Sequence, residues 1–270
     1  MKKLLLLVPM LSLFPLSPAF SRDFGAAADD KAVFTKAEIS AAAADPRLYT
    51  IDPKSIWVEL VSKTTSAGPK VTAEDRGIPG NIMTIINVAS KIWKIIKENA
   101  PVVGVETKYA AAVPEGATSP NQLCEWKGPE TYEYKFHAKN LYGGEVVTVT
   151  YKVLFAYGGK FDNKGAYLTG VTVVPGAINV SWGYKLFMSA FVADTTIVNI
   201  GTYADPKAAM QLKLSSKIAS VLKEWNGNSV YLINGGGELK EIVSPFNPEI
   251  KAEDLASAAP LFNPEKVFGR

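Results

Sequence analysis

Long stretches of alternating apolar and polar residues dominate the chain between Gly144 and Trp225. Successive side chains of a β-strand point to opposite sides, so each stretch predicts a strand with one apolar face. The three apolar faces consist of Val147, Val149, Tyr151, Val153, Phe155 and Tyr157; of Ile178, Val180, Trp182, Tyr184, Leu186, Met188 and Val192; and of Met210, Leu212, Leu214, Ile218 and Leu222. A helix is an alternative for residues 208–225, although the alternation at their start favours a strand.

Strands with one apolar face can pack sheet on sheet, or they can close into an outer-membrane barrel with that face towards lipid. The chain ends in a proline-containing tail rather than in an amphipathic strand, and the predicted strands differ in length, which favours the sandwich. We therefore predict a mainly β fold, an antiparallel β-sandwich with long strands and one packed amphipathic helix.

The predicted helix covers residues 81–98. Asn81 is a suitable N-cap residue, and Asn99-Ala100-Pro101 ends the segment. At helical spacing its isoleucines and Trp93 fill nearly half of the circumference, and polar residues fill most of the other side.

Turn signals divide the rest of the chain. Glycine and proline pairs at Gly158-Gly159 and Pro175-Gly176 predict breaks between strands, and Asn226-Gly227 predicts a tight hairpin. Shorter strands are predicted near residues 55–63, 102–112 and 131–139. We divide the chain into a signal peptide (1–21), an N-terminal arm (22–76) lying over the core, a β-rich core domain (77–243) and a proline-containing C-terminal tail (244–270). Within the arm, Thr35 and Glu38 have the spacing of a helix capping box.

Residues 1–21 have the pattern of a secretory signal. Lys2 and Lys3 precede an apolar run that is too short to span a bilayer, and Ala19-Phe20-Ser21 is a small-x-small cleavage site. Export to the periplasm or the extracellular space is therefore expected.

The net charge limits the classes of partner, and the cysteine content limits the disulfides that can form. The full chain has a formal charge of +3, and removal of Lys2 and Lys3 leaves +1, which argues against nucleic acid as a partner. Cys124 is the only cysteine, so no intramolecular disulfide can form, and its apolar neighbours predict a buried thiol.

Nucleophilic and metal-dependent chemistry find little support. His137 is the only histidine and is predicted to lie exposed on a strand, with no nucleophile elbow in the chain. One histidine and one cysteine do not make a zinc centre, and the glycine clusters match no nucleotide-binding pattern, so we predict no metal and no cofactor. Paired carboxylates of a glycoside hydrolase are the remaining enzymatic option, with these candidates: Glu115, Glu125, Glu130, Glu133 and Glu145.

Two kinds of binding surface are candidates. Trp126 and Tyr142 lie at predicted strand-to-loop boundaries and could contact a ligand, whereas Trp93 and Trp182 lie on apolar faces and are predicted to be core. The predicted helix also has the composition of a membrane-surface segment, carried by Lys91, Ile92, Trp93, Lys94 and Lys97.

These observations favour an exported, non-catalytic binding or structural protein of the cell envelope or extracellular space. The alternatives are a membrane-interacting or pore-forming protein, and a secreted hydrolase that uses paired carboxylates. The sequence identifies no ligand; a membrane surface or another envelope component is the kind of partner that this interpretation implies.

Overall fold

The computed structural model describes residues 30–66, 84–102, 104 and 108–244. The predicted signal peptide lies outside the described residues. So do residues 22–29 and 67–76 of the predicted arm, and the predicted tail after Ser244.

Thirteen β-strands and one α-helix are present in the described residues. The helix, α1, spans Lys36–Ala44. The strands are β1 (Trp57–Thr65), β2 (Ile85–Asn87), β3 (Ile92–Lys97), β4 (Ala100–Pro101), β5 (Ala110–Pro114), β6 (Lys127–Lys139), β7 (Glu145–Phe161), β8 (Lys164–Val180), β9 (Tyr184–Phe191), β10 (Val198–Asn199), β11 (Ala208–Ser220), β12 (Glu224–Asn234) and β13 (Leu239–Val243).

The strands form two antiparallel sheets. The first has the order β1-β6-β7-β8-β5-β2, and the second has the order β13-β12-β11-β9-β3-β4, with β10 beside β11. One apolar core contains residues of both sheets, and the hydroxyls of Tyr151 on β7 and Tyr231 on β12 meet within it at 2.8 Å. This confirms the predicted mainly β, antiparallel sandwich-like fold.

The period-two pattern places the core residues of the longest strands. Val147, Val149, Tyr151, Val153 and Phe155 are all buried along β7. Met210, Leu212, Leu214 and Ile218 are buried along β11, which is a strand and not the alternative helix. Alternation therefore predicted which side of each strand packs inward, because the pleat sends every second side chain to the core.

The helix predicted at residues 81–98 is wrong. Residues 81–83 lie outside the described residues, and the remainder contains β2 and β3. The register of β3 against β9 shifts between Lys94 and Ile96, so the consecutive Ile95 and Ile96 are both buried, together with Trp93. This bulge produces apolar spacing that resembles a helix, whereas isoleucine favours the extended backbone.

The only α-helix among the described residues is the one that the Thr35–Glu38 pattern predicted. Thr35 Oγ1 accepts the Glu38 backbone N–H at 3.2 Å, and the Glu38 carboxylate accepts the Thr35 N–H at 2.7 Å. This capping box is therefore confirmed. Glu38 also pairs with Lys185 of β9 at 3.6 Å, so α1 lies against the second sheet.

Three predicted breaks are wrong, because the strands continue through them. Gly158-Gly159 lies within β7, Pro175-Gly176 within β8 and Asn226-Gly227 within β12. The β11–β12 turn lies at residues 221–223, before β12 begins at Glu224. It is fixed by Ser220 Oγ, which accepts the backbone N–H groups of Leu222 and Lys223 at 3.3 and 3.2 Å. A local side-chain turn thus replaces the Asn-Gly hairpin.

Candidate functional site

The two predicted ligand-binding aromatics lie at opposite ends of the first sheet. Trp126 precedes β6 and Tyr142 follows it, and the 13 residues of β6 separate them by roughly 40 Å at the rise of an extended strand. They therefore do not form one site.

Trp126 has a structural role. Its ring is half-buried against Gly159, where an added Cβ would lie 2.4 Å from the indole, and its N–H donates to the Pro120 carbonyl at 3.3 Å. Tyr142, in contrast, is 56% exposed. Its hydroxyl donates to Asp45 at 3.1 Å, and the Arg47 guanidinium lies 4.7 Å from its ring centroid.

The residues of the proposed membrane-surface helix do not share one face. They follow a strand, with Trp93 buried and Ile92 exposed. Lys91 pairs with Asp194, and Lys94 pairs with Asp30 of the arm. The predicted basic face opposite an apolar face is therefore wrong; Lys97 lies exposed at the end of β3.

Trp182 was predicted to be core, but it is 56% exposed. The second alternating stretch breaks between β8 and β9, so Trp182 occupies the tip of a turn instead of a strand. Gly183 makes this turn with a φ of 82°, and a Cβ there would come within 2.5 Å of the Tyr49 ring. The Ser181-Trp182-Gly183 triplet was the sequence signal for this turn, because glycine readily adopts positive φ.

Two buried tyrosines lie next to this turn, and one of them contacts Trp182. The buried Tyr49 ring meets Trp182 edge-on at 6.0 Å between centroids, and it stacks on Tyr184 at 6.3 Å. The Tyr184 hydroxyl donates to the Leu48 carbonyl at 2.6 Å, and burial raises the pKa of Tyr184 to about 12. The exposed indole therefore contacts one buried ring, Tyr49, which in turn stacks on the hydrogen-bonded Tyr184.

Two adjoining concavities have volumes of about 540 and 340 Å³, and Trp182 lines the smaller one. They share Glu145, Val146 and Ser181. We call them together the turn-end groove, which is lined by residues 145–148, residues 178–182, Leu48, Tyr49, Asn140 and Tyr184. The groove combines an aromatic ring, apolar strand residues and uncharged polar groups around one carboxylate.

Glu145 is held by His137, which was predicted to be exposed. The imidazole is in fact 3% exposed and stacks on Trp57 at 4.8 Å. Its Nδ1 lies 3.2 Å from Glu145 Oε1, and its Nε2 lies 3.5 Å from Glu59 Oε1. The outer face of the sheet buries this histidine because strands on both sides of β6 contribute covering side chains.

The strand register also sets the charge around Glu145. Lys139 lies directly opposite Glu145, and Lys135 lies directly opposite Glu59, so each carboxylate faces a lysine across the ladder. Cross-strand neighbours of opposite charge attract, so each carboxylate has a lysine as its partner on the adjacent strand.

The candidate carboxylates for hydrolysis are dispersed. Glu125 pairs with Lys160 at 2.7 Å, Glu130 accepts from the Thr65 hydroxyl, and Glu133 accepts from Ser62. Of the proposed residues, Glu145 lines the groove. Its neighbouring carboxylate is Glu59, and the His137 ring fills the space between the two where a glycosidic bond would have to lie.

Other chemistry is equally unsupported within the described part of the chain. It contains no group of three histidine, cysteine or acidic residues that could hold a metal ion.

Cys124 is partly exposed and not buried as predicted, and its thiol lies 3.5 Å from the Lys160 carbonyl oxygen. Among the residues that the structure describes, no helix has the length and apolarity needed to cross a membrane.

Comparison with known proteins gives no family. No protein-family model matches the sequence, and no curated protein or solved structure is detectably similar to it.

Proposed function

We propose that this chain is an exported, non-catalytic binding protein of the cell envelope or extracellular space, and that it binds through the turn-end groove. The observation that carries the proposal is the 56% exposure of Trp182 beside a concave surface. A large aromatic ring left in water at a groove is typical of ligand contact, since most tryptophans contribute to a core.

The surroundings of the groove support binding rather than catalysis. Glu145 is the carboxylate at the groove, and its histidine partner is buried and stacked instead of facing the open space. A general acid and a general base would both have to reach a substrate. The export part of the proposal rests on the signal pattern of residues 1–21.

The membrane-interacting alternative has lost its main argument. It depended on an amphipathic helix at residues 81–98, and the described part of that segment contains β2 and β3, with Trp93 in the core and Lys91 and Lys94 in ion pairs.

Co-sedimentation tests the proposal. The mature chain, residues 22–270, should sediment with the insoluble envelope fraction of the source cell, and Trp182→Ala should weaken this at least tenfold. Tyr203→Ala is the matched control, because Tyr203 is 81% exposed outside the groove. N-terminal sequencing of the exported product should begin at Arg22. Equal retention of the two variants, or no retention of the wild type, would contradict the proposal.

A further inference from the structure

We infer that the ligand of the turn-end groove is a carbohydrate, with Trp182 beneath a sugar ring and Glu145 accepting hydrogen bonds from its hydroxyls. This inference rests on the proposed function and specifies the ligand class for the same site.

The first argument is the aromatic surface. A pyranose ring has an apolar face of C–H groups, and it covers a flat indole without requiring charge on either partner. Trp182 offers such a ring, and its position is set by the edge-on contact with Tyr49 at 6.0 Å and by Gly183, which leaves no room for a side chain next to Tyr49. A ring fixed before binding costs less entropy when a ligand covers it.

The second argument is the set of polar groups. Glu145, Asn179 and Ser181 are exposed along the groove and supply a carboxylate, an amide and a hydroxyl. A carboxylate is the strongest acceptor for a hydroxyl donor, and amide and hydroxyl groups both donate and accept, as sugar hydroxyls do.

The third argument is electrostatic. His137 Nδ1 lies 3.2 Å from the Glu145 carboxylate, and Lys139 lies opposite Glu145 on the neighbouring strand. The imidazole contact orients the carboxylate, and the lysine opposite places a positive charge on the neighbouring strand, so this surface carries groups of both signs. A neutral ligand rich in hydroxyls satisfies this environment, whereas a charged headgroup would meet groups of both signs.

The fourth argument is shape. The adjoining volumes of about 540 and 340 Å³ fall within the usual size of ligand sites. Glu145, Asn179, Ser181 and Trp182 are all exposed, so the groove opens to solvent. An open groove suits an extended chain of sugar units, whereas a fatty chain requires an enclosed apolar cavity.

The test uses the mature chain with three probes: an N-acetylglucosamine hexamer, a glucose hexamer and an unstructured neutral peptide. Tryptophan fluorescence and calorimetry should detect at least one hexamer. Trp182→Ala and Glu145→Gln should each weaken its binding tenfold or more. Two matched controls should bind as the wild type does: Tyr203→Ala for the exposed aromatic, and Glu125→Gln, whose side chain is 48% exposed against 55% for Glu145. Circular dichroism and urea midpoints verify that every variant is folded.

The outcomes separate this inference from the proposed function. Envelope binding that depends on Trp182, without binding of either hexamer, would overturn the carbohydrate inference and leave the proposed function standing; binding of the peptide alone would do the same. Hexamer binding that Trp182→Ala or Glu145→Gln leaves unchanged would also overturn the inference. Failure to bind both envelope and sugars would refute both.

Discussion

Replacing Tyr151 or Tyr231 by phenylalanine tests the packing of one sheet on the other. Tyr151 lies on β7 of the first sheet and Tyr231 on β12 of the second, and their hydroxyls share a hydrogen bond of 2.8 Å in the core. Each single variant removes the bond and leaves the other hydroxyl buried without its partner. The lost hydrogen bond and the unsatisfied buried hydroxyl together should lower the free energy of unfolding by about 1–3 kcal/mol.

The double variant removes both hydroxyls, so no buried hydroxyl is left without a hydrogen-bond partner. Because phenylalanine keeps the ring, packing against Tyr134 at 5.5 and 5.2 Å between centroids should persist. We expect the double variant to be at least as stable as either single variant, which gives a coupling energy of about 1 kcal/mol or more. Urea unfolding of all four proteins measures this. Additive losses in the double variant would refute the contact and, with it, the face-to-face placement of β7 and β12.

Three further predictions concern the helix cap, a buried tyrosine and the corrected strand. The Thr35 backbone N–H holds the pKa of Glu38 below its ordinary value. Glu38→Ala should therefore lower the free energy of unfolding by about 1 kcal/mol at neutral pH. In urea unfolding, the difference in midpoint between the wild type and this variant should shrink as acid protonates Glu38 in the wild type. Burial raises the pKa of Tyr184 to about 12, so its contribution to stability is intact below the unfolded pKa near 10 and is lost as pH rises towards 12. Burial raises the pKa of Tyr167 to about 12 as well, so in an absorbance titration Tyr184→Phe should reduce the late tyrosine step by one tyrosine without abolishing it. Ile92→Asp should change the free energy of unfolding by only about 0.5 kcal/mol, whereas Ile95→Asp should cost about 3 kcal/mol or more; equal losses in urea would argue against β3.

The sequence predicted the buried faces of β7 and β11, although not every strand end, because one physical rule governs those faces. Along β7 the pleat alone decides which residues face the core, and five alternate side chains from Val147 to Phe155 are buried. The capping box of α1 could also be predicted from the sequence, because both of its hydrogen bonds lie within four residues. In each case the determining interaction is local or strictly periodic.

The errors lie where distant contacts decide the structure. The segment from Ile92 to Lys97 suits a helix by spacing, but pairing with β9 and β4 and the bulge near Ile95 make it a strand. His137 is buried by Trp57, a residue 80 positions earlier in the chain, which no local pattern indicates.

The candidate site was predicted only in part. Tyr142 is exposed but does not line the groove, and Trp182 was assigned to the core because it continued a period-two stripe beyond the true end of β8. Glu145 appeared as one of several carboxylates, and its place beside the groove follows only from the meeting of the β6–β7 and β8–β9 turns.

The position of the ligand can be measured from the indole N–H signals of the five tryptophans in nitrogen-15 NMR spectra. Titration of the mature chain with the sugar hexamer that binds should shift the Trp182 signal in proportion to occupancy. The Trp126 signal should remain in place, because Trp126 lies beyond the far end of β6, roughly 40 Å from the Tyr142 end. A shift of Trp126 with no change at Trp182 would contradict the assignment of the binding site to the turn-end groove.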